Sequence, residues 1–109
     1  MKLLEKRSEV EKALHLSKDK SYLIVAPSKA ALGFVSIRKV CEYLKLVARN
    51  GAEVGRDIPD DLMDFHEIET ATGFSHRRVM RILRRAPHFY LSRKTVLMHR
   101  RDVEKAFDR

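Results

Sequence analysis

The order of apolar and polar positions divides this chain of 109 residues into several helical stripes and two short β runs. Over 1–17, Leu3, Val10 and Leu14 recur at near-heptad spacing, with Leu4 and Ala13 beside them and Lys and Glu opposite, which predicts an amphipathic helix. Arg7 interrupts the stripe, so a long coiled coil is not expected. After a polar break at 17–20, Tyr22, Leu23, Ile24 and Val25 run toward Pro27; this reads as a strand or as a buried helical turn, and periodicity alone leaves both open. Ser28 opens the next element. Over 35–49 the apolar positions Ile37, Val40, Cys41, Leu44, Val47 and Ala48 fall at offsets of three and four, a helix stopped by Asn50-Gly51. Residues 52–58 read as a loop or a short strand.

The second half is more sharply punctuated. Pro59 and the acids Asp60, Asp61 and Asp64 stand where a helix begins, because carboxylates favour the positive end of a helix dipole. Phe65, Ile68 and Ala71 carry that helix to Thr72-Gly73, where glycine takes a left-handed turn that a side chain resists. Ser75 caps a second helix over 75–86, with Val79, Ile82, Leu83 and Ala86 inward and Pro87 ending it. Phe89-Tyr90-Leu91 and Val96-Leu97-Met98 flank a tight turn at 92–95, giving a hairpin within 88–99, and a closing helix runs over 101–107. The expected fold is mainly α with a small β-hairpin (α+β). It divides into an N-terminal helix and short strand at 1–27 and a domain at 28–109. The 1–27 stripe either packs on its own domain or pairs two copies in a homodimer, and both readings stay open.

Composition narrows the class. Cys41 is the only cysteine, so no internal disulfide forms, and its apolar neighbours favour a buried thiol in a reducing compartment. The charged residues of 1–7 are not followed by the apolar stretch of a signal peptide, and no apolar run approaches the roughly 20 residues that span a bilayer. The expectation is an intracellular, cytoplasmic protein with no membrane partner. Charge is sorted along the chain within a formal net charge of +8. Residues 73–101 hold nine Arg or Lys and no acid, whereas the sixteen residues of 57–72 hold six acids and no Arg or Lys. A charge run on an isolated helix is ordinarily a solvated face. Here it coincides with a capped helix, a glycine turn before it and a hairpin after it, a combination that points to nucleic acid.

The segment His66-Glu-Ile-Glu-Thr-Ala-Thr-Gly-Phe-Ser-His-Arg-Arg-Val-Met-Arg-Ile-Leu-Arg-Arg85 resembles the helix-turn-helix of winged-helix DNA-binding proteins. Ile68 matches the anchor of the first helix, Gly73 the turn, Phe74 the plug between helices, Ser75 the cap, and Val79 and Leu83 the packing face. The resemblance covers about 37–98 and implies a winged helix-turn-helix with an N-terminal helical extension. It further implies that helix 75–86 lies in the major groove of double-stranded DNA and that wing 88–99 lies on the backbone or minor groove. Ser75 belongs to that interface, His76, Arg77, Arg78 and Arg81 become candidates for base contacts, and Arg84 and Arg85 for phosphate contacts. Arg93 and Lys94 stand at the wing tip and Arg100 at its base. The tip lacks glycine, which argues against deep insertion. One departure stands out. The position after Ile68 is usually small in the family, and here it is Glu69, so either its carboxylate pairs with an Arg of the second helix or the helices cross further apart.

The implied function is a sequence-specific DNA-binding transcriptional regulator, not an enzyme, with no cofactor, no metal and no small-molecule substrate. No Gly-rich phosphate loop or nucleophile–base motif is present, and no Cys or His pair has metal-ligand spacing. Asp60, Asp61 and Asp64 could serve a metal-dependent nuclease, but their place at a helix start favours capping. The rival reading is an accessory or adaptor subunit of a replication or transcription machine, using the same fold against protein or RNA.

Overall fold

The structure, a computed structural model, describes residues 2–16 and 33–108. It is a small α+β protein whose described residues form two compact units, one of residues 2–16, 33–47 and 54–60, the other of 48–53 and 61–108. The reading of residues 22–25 and of Ser28 lies outside the described residues.

In the first unit, strand β1 (Leu4–Lys6) pairs antiparallel with β2 (Phe34–Ser36), with Leu4 opposite Ser36 and Lys6 opposite Phe34. Helix α1 (Arg7–Ala13) follows β1 directly, and the Arg7 N–H donates to the Gly33 carbonyl at 2.8 Å. The single helix expected over 1–17 is therefore a strand and a shorter helix. The reason lies in the backbone: residues 4–6 find β2 as a hydrogen-bonding partner far along the chain, and Leu3 is left 70% exposed while Val10 and Leu14 are buried. Helix α2 (Ile37–Val47) buries Ile37, Val40, Cys41 and Leu44 of the expected stripe, while Val47 and Ala48 are only half-buried and Val35, the expected helix start, belongs to β2. It ends one residue before Ala48, which belongs to β3 (Ala48–Arg49).

The second unit builds its core from a four-stranded antiparallel sheet and three helices. Sheet order is β3-β5-β6-β4, with β4 (Leu62–Met63), β5 (His88–Ser92) and β6 (Thr95–His99). Helices α3 (Phe65–Thr72) and α4 (His76–Leu83) lie between β4 and β5 in sequence, and α5 (Arg100–Phe107) follows β6. Alternate residues of a strand face opposite sides. Val96 and Met98 accordingly join Ile68 of α3, Val79 and Leu83 of α4, Ala86 just after α4, and Val103 of α5 in one buried cluster. Leu97 and His99 point the other way, Leu97 beside Phe89 in the register and the His99 ring edge-on to Phe89 at 5.4 Å. Truncating a core residue such as Ile68 to alanine should cost about 2–5 kcal/mol.

Local chemistry fixes the helix ends. Asp64, not Asp60 or Asp61, is the N-cap of α3. Its carboxylate accepts from the Glu67 N–H at 2.9 Å, and the Glu67 carboxylate accepts in return from the Asp64 N–H, a reciprocal capping box. Gly73 (φ 73°) closes α3 in the left-handed conformation as expected. The Ser75 hydroxyl accepts from the Arg78 N–H at 3.4 Å and starts α4. That helix ends at Leu83, short of the expected Ala86; Arg84 and Arg85 form a turn and Ala86 a bend before Pro87.

Candidate functional site

Helix α4 is eight residues long and carries different chemistry on each side. Successive residues turn by about 100° around the axis. Val79 and Leu83 lie inward and are buried, and Arg77, Arg81 and Arg84 share the opposite side and are exposed. Between the two are flanks that contact neighbouring elements.

On the flank toward α3, the His76 ring Nδ1 lies 2.7 Å from the Glu69 Oε1, and the ring packs against Phe65 at 5.2 Å between centroids. Glu69 thus pairs with a histidine and not with the expected arginine. On the flank toward α5, the Arg78 guanidinium sits 3.9 Å above the Phe74 ring, which itself packs on Phe107 at 5.9 Å. Such a stack contributes about 0.5–1 kcal/mol at an exposed site. His76 and Arg78 remain solvent-accessible but have partners within the protein.

The other candidates separate into groups. Arg93 and Lys94 form the exposed two-residue tip between β5 and β6. Neither has positive φ; a register irregularity between Tyr90 and Ser92 accompanies the turn instead. Arg85 stands beside Arg81 at a cleft between α4 and α5. Arg100 begins α5 at the opposite end of β6 from the tip, with its Nε 3.7 Å from Glu104, so it is not gathered with Arg93 and Lys94. Ser75 is at the cap.

Three supporting residues escaped sequence reasoning. Asn50, the only asparagine, adopts φ 54°, and its side-chain amide donates to the carbonyls of Arg84 (2.8 Å) and Ala86 (3.2 Å), closing the end of α4. Buried His99 joins three segments: its Nε2 lies 2.6 Å from the Glu53 carbonyl oxygen and its Nδ1 2.9 Å from the Asp61 carboxylate. A carbonyl only accepts, so Nε2 carries the proton it donates. Asp61 also receives the Arg100 N–H on its own carbonyl at 3.0 Å. Arg101 pairs with Glu53 at 2.6 Å. Local composition carried no sign of these contacts, which link positions 34 to 48 residues apart.

Among the described residues, no helix is long and apolar enough to cross a membrane. Comparison with models of known protein families, with curated proteins and with solved structures found nothing that matches this chain.

Proposed function

We propose that the second unit is a winged helix-turn-helix that binds double-stranded DNA, and that the protein is a cytoplasmic, non-enzymatic transcriptional regulator. The observation that carries this reading is the exposed stripe Arg77, Arg81 and Arg84 on the side of α4 opposite the buried Val79 and Leu83. The order strand, helix, glycine turn, helix, hairpin supports it, as does the pairing of the second hairpin strand β6 with β4, the strand ahead of the first helix. In such a frame α4 enters the major groove. Arg77 and Arg81 would meet base edges, a paired contact to guanine being worth about 1–3 kcal/mol of discrimination. Arg84, Arg85, Arg93 and Lys94 would hold phosphates.

The engagement of His76 and Arg78 with Glu69 and Phe74 favours one second reading. With fewer side chains free to read bases, the domain would bind duplex with little sequence preference and act as an accessory subunit of a larger machine. Selection of bound sequences from a random duplex pool decides between the two. An enriched motif, lost in Arg77→Ala and Arg81→Ala, supports specific regulation. Salt-dependent binding without a motif supports the accessory role, and absence of duplex binding overturns both.

A further inference from the structure

The cleft between α4 and α5 has a volume of about 570 Å³, within the range of small-molecule sites. Its floor is apolar, made by Ile82, Ala86, Pro87 and Ala106. Around it stand three cations, Arg81, Arg85 and Lys105, and one acid, Asp102. None of the four makes an ion pair within 4.0 Å among the described residues. An apolar surface beside an uncompensated positive excess matches a ligand that is itself divided, with an apolar body and an anionic head. Two guanidinium groups in the same cleft match a planar carboxylate in particular, because each offers a fork of parallel N–H donors.

We propose that this cleft binds an amphipathic organic carboxylate. The body covers the Ile82–Ala86–Ala106 floor, and the head sits among Arg81, Arg85 and Lys105. Binding stands on the cleft alone. One consequence rests on the nucleic-acid reading: Arg81 also belongs to the outward stripe, so a bound carboxylate would compete with duplex for it.

The experiment is a titration of the full chain with phenylbutyrate, followed by methyl NMR of Ile82, Ala86 and Ala106. Phenylbutyramide, which lacks the charge, and acetate, which lacks the body, are run alongside. Expected are saturating shifts at those three methyl positions, at least about tenfold weaker binding of both controls, and about fivefold weaker binding of phenylbutyrate to Arg85→Ala and to Lys105→Ala. Both variants change exposed side chains, and their unperturbed methyl spectra confirm folding. Absence of saturation, acetate binding as well as phenylbutyrate, or shifts centred elsewhere would overturn the proposal. A duplex competition is added last. If phenylbutyrate binds in the cleft yet leaves duplex affinity unchanged, the ligand site stands and the duplex face was misassigned.

Discussion

Replacing Arg77, Arg81 and Arg84 together by alanine removes the outward stripe of α4 while leaving Val79 and Leu83 in place. All three arginines are exposed, and alanine is the best helix former, so stability should change little. If the proposed duplex binding holds, the effect on it is large and can be stated as a slope. Arg77, Arg81, Arg84, Arg85, Arg93 and Lys94 are exposed and make no ion pair among the described residues. If the four assigned to phosphates, Arg84, Arg85, Arg93 and Lys94, each neutralise one, the logarithm of affinity falls against the logarithm of salt with a slope of about −3.6, so a fourfold rise in salt weakens binding roughly 150-fold. Losing Arg84 brings the slope to about −2.7, where the same salt step costs only roughly 40-fold, and losing Arg77 and Arg81 removes the discrimination between duplexes. Fluorescence anisotropy with a labelled duplex over a salt series measures both slopes. The control is a triple variant of equal charge change on the first unit, Lys12→Ala with Lys39→Ala and Lys45→Ala, which should leave the slope near the parent's. If the α4 triple variant keeps the parent slope, or the control loses as much, then α4 is not the face that meets phosphate.

Three further outcomes follow from single contacts. Asn50→Ala removes two hydrogen bonds to the end of α4 and places alanine at φ 54°, and should lower the unfolding free energy in urea by about 2 kcal/mol, with Asn50→Gly recovering part of the loss. His99→Phe keeps the ring against Phe89 but leaves the Glu53 carbonyl without its donor and removes the Nδ1 contact to Asp61, and should cost about 2–3 kcal/mol in the same assay. Burial pushes the Cys41 thiol above the ordinary thiol range, with Asp57 adding to the shift and Lys45 opposing it. A raised pKa means the folded state holds the proton more tightly. The contribution is therefore complete below the unfolded thiol's pKa and is lost as pH rises through the folded value. Iodoacetamide should label native Cys41 far more slowly than the urea-unfolded chain at neutral pH, and equal rates would show that the thiol is not shielded.

What could be read from the sequence were features whose cause is local. Gly73 announces a left-handed turn because few other residues take one, and Ser75 announces a cap because its hydroxyl reaches the N–H three residues on. The hairpin and the inward stripe of α2 were legible by periodicity. The N-terminal strand was not, since Leu4–Lys6 is extended only because Phe34–Ser36 lies beside it, and its spacing mimics a helix stripe. Of the three acids read at the start of α3, Asp64 is the cap and Asp60 and Asp61 lie too early, for a related reason. β4, two residues long, separates Asp60 and Asp61 from Asp64, and its partner is Met98 and His99 at the other end of the unit. Within the candidate site, the outward direction of Arg77, Arg81 and Arg84 follows from helical period. The partners of His76 and Arg78 do not, because they depend on how α3, the Phe74 turn and α5 pack around α4.

Those partners change what the site's residues are for. A helix of eight residues spans about 12 Å and is far too short to be stable alone, so neighbours must set its roll. Val79 and Leu83 fix it from inside, His76 on Glu69 from one flank, Arg78 on Phe74 from the other, and Asn50 holds the end. Two residues that sit early in α4, where contacts to bases would be sought, therefore act as mountings that aim the stripe. Glu69→Ala separates aiming from charge. It deletes an acid beside the basic face, so simple electrostatics predicts tighter duplex binding at low salt. Loss of a mounting predicts the reverse: weaker discrimination between duplexes, at an unchanged or steeper salt slope, with folding intact because an exposed pair of this kind contributes only about 0–1 kcal/mol. Measuring affinity for a selected duplex and for a scrambled one in Glu69→Ala resolves the two. A rise in both affinities with their ratio preserved would show that Glu69 acts only as a charge and that the roll of α4 is set by its buried side alone.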